Sequence, residues 1–256
     1  MASAGAADRL AGGDSESPLR RLLGRALAMI TIRTSLLGPL CLLLALCATA
    51  PAVQGASASE ELVERTSLTI ERLLIDPELS ELPGFITRAR AVLIIPQLIK
   101  GGFILGGEGG SGVLLAKGAD GSWSPPAFYT LAAGSIGLQI GGQVSEVVFT
   151  LMSDGAIDAV LKNEFKLGVD ASIAVGPIGK GVEASTTTNL DADIYAFSKV
   201  VGLFGGGAFE GAGIFPREEW NRQYYQSAAT PRQIIIDRKF FNPHADRLRN
   251  ALPTPQ

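Results

Sequence analysis

Residues 100–117 read KGGFILGGEGGSGVLLAK, and the fold class depends on whether this glycine-rich stretch is a phosphate-binding loop or part of a sheet. Within it, residues 107–112 match the pattern G-x-G-x-x-G, which in dinucleotide-binding proteins lies between a strand and a helix. Here the following segment, 113–117, begins with a β-branched valine and runs into an Asp-Gly turn at Asp120-Gly121. That segment is too short for a helix whose N-terminus binds a pyrophosphate. We therefore interpret the stretch as part of a β-sheet, in which glycines permit twist, bulges and close approach of strands.

The composition also favours a sheet. The chain has 256 residues, of which 31 are glycine, and most glycines lie between residues 101 and 213. Glycine with many β-branched residues and little helical periodicity is typical of strands joined by tight turns. Apolar runs and period-two segments predict strands at 91–96, 102–106, 112–117, 124–131, 135–141, 144–152, 165–175, 182–188, 192–198 and 208–214.

Helices are predicted at both ends of this sheet. Residues 59–75 place Leu62, Thr66, Ile70 and Leu73 on one apolar stripe at helical spacing. Further helices are predicted at 83–89, at 155–163, from Pro216, and at the capping pairs Thr230-Pro231 and Asn242-Pro243. The predicted fold class is α+β: a glycine-rich antiparallel β-sheet, closed or sandwiched, with flanking N- and C-terminal helices.

The first 58 residues have the pattern of a secretory signal peptide. Arginines between positions 20 and 33 precede an apolar run at 36–50, and an A-x-A site follows at 56–58. We expect the region 1–58 to be removed, which leaves one domain at 59–252 and a disordered tail at 253–256. Translation starts at Met1 or at Met29. An uncleaved anchor is the alternative, although the run is shorter than the roughly 20 residues of a spanning helix.

Both cysteines, Cys41 and Cys47, lie in this N-terminal region. The mature domain would then contain no disulfide and no cysteine metal site. Acylation of Cys47 as a lipid anchor is an alternative to cleavage near Ala58, although Leu46 is larger than the residue that usually precedes a lipid-modified cysteine. The predicted location is outside the cytoplasm, in the periplasm or at the envelope, with an outer-membrane lipoprotein as the alternative form.

The mature chain offers little for catalysis or for nucleic acid. From Ser59 onward it carries 17 basic and 22 acidic residues, a net charge of −5, which is a poor field for a nucleic-acid partner. His244 is the only histidine, so a Ser-His or Cys-His arrangement would depend on that residue alone. We expect no catalytic residue, no metal site and no cofactor, and we expect the protein not to be an enzyme.

Seven short motifs together resemble a known family. The motifs are ARAVLIIP at 89–96, KGGF at 100–103, GGSG at 109–112, DGSWSP at 120–125, GPIGK at 176–180, AFSK at 196–199 and GLFG at 202–205. In their order and spacing, over about residues 82–225, the chain resembles the SYLF lipid-binding family, whose yeast members are also described as actin-binding.

The resemblance implies a non-enzymatic, glycine-rich β domain that binds phospholipids, which are phosphoinositides in eukaryotic members. In those relatives a basic amphipathic N-terminal helix contributes to membrane contact. The corresponding helix here, at 59–75, carries more acid than base, and packing of its apolar stripe on the sheet is the alternative role. Actin is an unlikely partner for an exported protein.

The resulting hypothesis is binding of anionic phospholipid at a bacterial envelope membrane. Headgroup phosphates are bound by Lys or Arg beside an apolar surface, and the candidates are Arg88, Arg90, Lys100 and Lys180. The alternative is a structural or adaptor protein that binds another envelope protein through the surface of its sheet.

Overall fold

The computed structural model describes residues 56–162, 165–176, 191–201 and 211–255, with the backbone alone at 102–105, 135–141 and 200–201. Cys47, Lys180 and the predicted strand at 182–188 lie outside this part of the chain. The proposed boundaries of the signal region and of the mature domain stay predictions.

The first helix, α1 (Ala58–Leu73), packs its apolar stripe onto the sheet. Leu62, Thr66, Ile70 and Leu73 are all buried, as the helical spacing predicts. A 3-10 turn (Pro77–Leu79), capped by the side chain of Asp76, leads to α2 (Leu82–Arg88). The helix predicted at 59–75 and the short helix at 83–89 are thus confirmed.

The glycine-rich region forms two long strands, β1 (Ala91–Ala116) and β2 (Ala127–Leu151), that pair as one antiparallel ribbon. The register runs from Ala91 opposite Leu151 to Leu114 opposite Ala127, with irregularities between Ile95 and Leu98 and between Phe103 and Leu105. The expectation of several separate short strands in this region was wrong. Its glycines stay in extended backbone with ladder partners, so they bend the strands without ending them.

The ribbon folds back so that the two arms of β1 lie side by side. The amide of Lys117 donates to the carbonyl of Arg90 over 2.7 Å. A Cβ atom placed on Gly112 would lie 2.5 Å from the carbonyl oxygen of Ile94, and one on Gly110 would lie 2.5 Å from that of Gln97. Glycine is therefore required at both positions, because a side chain would occupy the space of the neighbouring backbone.

The remaining strands extend the sheet from the other edge of β2. The strand β5 (Ile194–Val201) pairs with its C-terminal arm and β6 (Gly213–Pro216) with its N-terminal arm, both antiparallel. Beyond them lie β4 (Ile173–Val175), parallel to β5, and β3 (Phe165–Lys166), antiparallel to β6. Counting both arms of β1 and β2, the described sheet is curled and mostly antiparallel, with eight strand segments.

Two local predictions were wrong. Residues 165–175 alternate strictly but form two short strands around a turn, in which Gly168 has φ +76° and the Asp170 carboxylate accepts from the Lys166 amide over 2.6 Å. Local side-chain bonding of an aspartate competes here with the sheet ladder. Pro216 ends β6 and does not open the next helix, which begins at Glu218.

Helices cover both faces of the sheet and confirm the α+β class. One core contains Leu93, Tyr129 and Phe149 with α3 (Asp154–Val160) and α5 (Pro231–Ile235). The opposite core contains Ile94, Phe128 and Phe197 with α1, α2, α4 (Glu218–Tyr225) and α6 (Asp246–Ala251). The predicted caps are confirmed: Thr230 accepts from the Gln233 amide, and Asn242 caps the 3-10 turn Pro243–Ala245 that precedes α6.

Candidate functional site

A groove of about 680 Å³ runs between α1 and the arms of β1, and we call it the Arg217 groove. Its apolar lining comes mainly from Leu62, Pro96, Ile99 and Trp220. Its polar lining comes from Glu61, Arg65, Gln97, Ser111, Thr130 and Arg217. A volume of this size, with an apolar lining and a few convergent polar groups, is typical of a small-ligand site.

A second, smaller depression of about 350 Å³ lies on the other side of Arg65 and Gln97. Three exposed apolar side chains border this side of the domain: Leu68 is 50% exposed, Ile99 53% and Val144 36%. Ile99 and Val144 are direct partners across the ribbon, and Leu68 and Val144 line the same depression. We call Leu68, Ile99 and Val144, together with Arg65 and Arg72, the basic apolar patch.

The irregularity between Ile95 and Leu98 shapes both depressions. It contains Pro96 and Gln97, which line both of them. Proline cannot donate to a ladder and is tolerated in strands mainly at bulges and edges. The bulge brings the Gln97 amide oxygen to α1, where it accepts from Arg65 over 2.9 Å.

The acidic residues of α1 are all occupied by partners within the protein. Glu60 closes a capping box with Ser57, and Glu61 pairs with Arg65 over 2.5 Å. Glu64 and Glu71 both pair with Arg247 of α6. Arg247 places one positive charge beside Glu64 and Glu71, so the excess of acid over base in the sequence of this helix is partly offset from α6.

Arg72 of the basic apolar patch is held by a buried carboxylate. It donates to Oε1 of Glu146, which also accepts from the Thr69 hydroxyl over 3.4 Å. Glu146 is 8% exposed, and within the described residues its Oε2 has no hydrogen-bond partner. A charge-assisted hydrogen bond to this buried carboxylate fixes the orientation of the Arg72 guanidinium. More than half of the Arg72 side chain is nevertheless exposed.

Arg217 lies at the junction of β6 and α4, with its Cζ 3.6 Å from the centre of the Trp220 ring. It donates to the Ser111 hydroxyl over 2.6 Å, and no carboxylate in the described part of the chain pairs with it. Partial burial lowers the pKa of Arg217 from its ordinary value of 12.5, but an arginine remains charged at neutral pH. Arg217 is thus a stacked cation without a counter-charge among these residues.

The strand register explains why these groups meet. Ser111 of β1 lies opposite Thr130 of β2, and Thr130 lies opposite Phe215 of β6, two residues before Arg217. The amide of Arg217 also donates to the carbonyl of Phe128 over 2.8 Å. Three adjacent segments therefore place Ser111, Thr130 and Arg217 beside one another.

The structure does not gather the three described candidate residues into one site. Arg88 lies over the Phe85 ring at 4.7 Å, and Arg90 pairs with Asp154 over 3.6 Å at the start of β1. Lys100 lies 3.9 Å from the Glu108 carboxylate, and at about 3.3 Å per residue it lies roughly 30 Å from Arg90 along the strand. Their role in lipid binding stays a prediction.

Sequence reasoning missed Arg65, Arg72, Arg217 and Trp220. Arg217 and Trp220 are three positions apart at the start of a helix, a spacing that is compatible with stacking but does not by itself predict it. Their groove partner Ser111 lies 106 positions away in the chain, which no local pattern reveals.

The described residues hold no group of three or more His, Cys, Asp or Glu side chains suited to a metal ion. No helix in this part of the chain combines the length and apolar character needed to cross a bilayer.

The fold and the groove define a β-rich domain with an amphiphilic surface site. A family model described as "Ysc84: Las17-binding protein actin regulator" matches residues 132–254. Over these residues the chain belongs to this Ysc84, or SYLF, family, which is a family of binding and adaptor domains rather than of enzymes.

Named relatives support this membership. Protein YSC84 of Saccharomyces cerevisiae is 35% identical over 173 residues, 66% of this chain and 37% of the relative. LAS seventeen-binding protein 3 of the same organism is 33% identical over 173 residues, 66% of this chain and 38% of the relative. The human SH3 domain-containing YSC84-like protein 1 is 34% identical over 145 residues, 56% of this chain and 42% of the relative. The chain thus spans less than half of the length of these relatives.

Proposed function

We propose that this domain binds anionic phospholipid at a membrane surface and carries out no catalysis. The observation that supports this function is the basic apolar patch, where Leu68, Ile99 and Val144 are exposed next to Arg65 and Arg72. The membrane in this proposal is a bacterial envelope membrane, in keeping with the export signal that the first 58 residues predict.

The patch combines the two forces that hold a protein on a bilayer. Clustered exposed apolar side chains gain free energy by entering the interfacial region. Arginines near an anionic surface contribute about 1 kcal/mol each, an effect that salt screens. Arg65 and Arg72 are 47% and 58% exposed, so they reach solvent although each has a carboxylate partner.

Vesicle co-sedimentation of the full chain tests this function. Binding is expected to rise when about a third of the phosphatidylcholine is replaced by phosphatidylglycerol, and to fall with added salt. Leu68→Glu should weaken binding, because it places a negative charge at the centre of the patch. Val169→Glu is the matched control, since Val169 is an apolar residue that is 72% exposed in the turn between β3 and β4. Equal binding of wild type and Leu68→Glu, or indifference to anionic lipid, would contradict the proposal.

A second candidate function is binding of a protein partner through the same patch. The description of the family as Las17-binding and actin-regulating favours it. In that case lipid composition has no effect, and the Leu68→Glu chain fails to capture a protein that the wild-type chain captures. The sequence expectation that actin itself is not the partner of an exported member remains to be tested by co-sedimentation with filaments.

A further inference from the structure

We propose that the Arg217 groove is a binding site for a phosphate group, with Arg217, Ser111 and Thr130 as its ligands. This inference deepens the proposed function and rests on it for the source of the phosphate, which is the headgroup of a lipid. The groove adjoins the basic apolar patch and shares Arg65 and Ile99 with it, but Arg217, Ser111 and Thr130 do not belong to that patch.

Arg217 is held in one orientation and has no carboxylate partner within the described residues. Stacking on Trp220 fixes the plane of the guanidinium, and the bond to Ser111 uses only part of its N–H donors. A planar, oriented guanidinium without a carboxylate partner suits an oxyanion, which accepts two parallel hydrogen bonds from it.

Two hydroxyl groups, those of Ser111 and Thr130, line the groove together with Arg217. Because Ser111 accepts from Arg217, its own hydroxyl hydrogen remains free to donate. Thr130 lies directly opposite Ser111, lines the same groove, and makes no side-chain hydrogen bond within the described residues. Donors that converge from three adjacent segments match the several oxygens of a phosphate better than the two oxygens of a carboxylate.

The remainder of the groove is mainly apolar. Leu62, Pro96, Ile99 and Trp220 provide a surface for the glycerol and the first methylenes of a lipid chain. The carboxylate in the groove, Glu61, is paired with Arg65. A polar end with Arg217 and an apolar remainder therefore match a phosphate ester with a short hydrophobic tail.

Isothermal titration calorimetry on the full chain tests the site with water-soluble ligands. Dihexanoyl phosphatidic acid is expected to bind, whereas dihexanoyl glycerol, which lacks the phosphate, should not. Glycerol 3-phosphate and inorganic phosphate show whether the ligand is a lipid headgroup or a free phosphate. Weaker binding of these two than of dihexanoyl phosphatidic acid supports the lipid headgroup. Tighter binding of either than of the lipid would overturn the lipid source, and tighter binding of hexanoate would overturn the phosphate chemistry.

The variants identify the ligand residues. Arg217→Gln should weaken the binding of dihexanoyl phosphatidic acid about tenfold or more, which is the effect expected when a charge-assisted hydrogen bond is lost. Arg217→Lys should recover part of the affinity, because it restores the charge without the planar fork. Ser111→Ala and Thr130→Val provide variants that do not disturb the stacking on Trp220. Arg222→Gln is the matched control on the exposed side of the same helix, where Arg222 pairs with Glu219.

Unchanged affinity in Arg217→Gln, Ser111→Ala and Thr130→Val would overturn the site. If those variants and the wild type still sediment with anionic vesicles, the proposed function stands and only the phosphate site fails. If the wild type binds neither vesicles nor dihexanoyl phosphatidic acid, both proposals fail.

Discussion

Gly112 lies so close to the backbone of Ile94 that a Cβ on this glycine would lie 2.5 Å from the Ile94 carbonyl oxygen. The same Cβ would lie 2.7 Å from a side-chain carbon of Ile95. This contact joins the two arms of β1 and lets the ribbon fold back on itself. The glycine-rich motif thus serves the approach of two backbones, not the approach of a nucleotide to a backbone.

Gly112→Ala should therefore lower the free energy of unfolding by about 2 kcal/mol or more, since overpacking forces the arms apart. Gly134→Ala is the control, because nothing lies within 4 Å of a Cβ at that position. Chemical denaturation of both variants measures the difference. Similar stability of the two alanine variants would show that the arms of β1 do not lie as close as described.

We expect the free energy of unfolding to depend on pH through Glu108, which pairs with Lys100. Burial raises the pKa of Glu108 above its ordinary value of 4.5, although Lys100 opposes the shift. The folded state then binds the Glu108 proton more tightly than the unfolded state does. The stability that this proton contributes is therefore lost as the pH rises from 4.5 through the raised pKa. Glu108→Gln should become progressively more stable than wild type between pH 4 and pH 7 in urea denaturation.

Glu219→Gln is the control for that measurement, because Glu219 is exposed and pairs within its own helix. A stability difference between Glu108→Gln and wild type that stays constant with pH would contradict the prediction. Glu108→Gln also releases Lys100 from its carboxylate partner. Stronger vesicle binding of this variant would support the predicted role of Lys100 in lipid contact.

Arg247 ties the two ends of the domain together. Its guanidinium donates to both oxygens of Glu71 over 2.9 Å and to Glu64 over 2.5 Å. These hydrogen bonds lower the pKa of Glu71 below its ordinary value of 4.5. The resulting stabilisation is present above pH 4.5 and is lost as the pH falls through the lowered pKa.

Arg247→Gln should therefore be less stable than wild type at pH 7, and the difference should shrink below pH 4.5 and at high salt. Thermal denaturation at several pH values measures it. Arg222→Gln provides the comparison, since its only ion pair in the described residues lies within one helix. A deficit of Arg247→Gln that persists unchanged at pH 3 would argue against the ion pairs as its cause.

Ser57 caps the N-terminus of α1, so its substitution should lower the stability of the protein. It also lies next to the predicted start of the mature chain. Its hydroxyl accepts from the Glu60 amide over 3.3 Å, and its amide donates to the Glu60 carboxylate over 2.8 Å. Ser57→Ala should cost about 1 kcal/mol of stability in chemical denaturation, as for other lost caps. Ser80→Ala, at an exposed serine, should change little.

Cleavage after Ala58, as the A-x-A pattern predicts, would remove this cap. Mass spectrometry of the mature chain measures where it starts, and the predicted removal of residues 1–58 gives a start at Ser59. A start at Ser59 would mean that the mature protein dispenses with the capping box.

Features with a local cause could be predicted from the sequence. The stripe of α1, the caps at Thr230 and Asn242, and the turn at Gly121, which has φ +78°, all depend on residues within one or two turns of each other. The α+β class followed from the same local patterns. The 165–175 segment shows the limit, because strict alternation there was overridden by the side chain of Asp170.

The candidate site was predictable only in its chemistry. An arginine or lysine beside an apolar surface was expected, but the described candidates Arg88, Arg90 and Lys100 lie apart. The residues that do meet, Arg217 and Ser111, are brought together by strand pairing across more than a hundred positions. Their proximity depends on the register of β1, β2 and β6, which no local pattern contains.

Local residue patterns were enough to predict the main helices and the extended character of the glycine-rich region, and they argued against a nucleotide loop because no helix follows the glycines. They did not reveal that β1 folds against itself, that Arg247 pairs with Glu64 and Glu71 of α1, or that Arg217 lines a groove. Helix stripes, caps and turns could be predicted because they depend on residues that are close together in the sequence. The groove could not, because it is formed by segments that are far apart in the sequence and meet only in the folded chain.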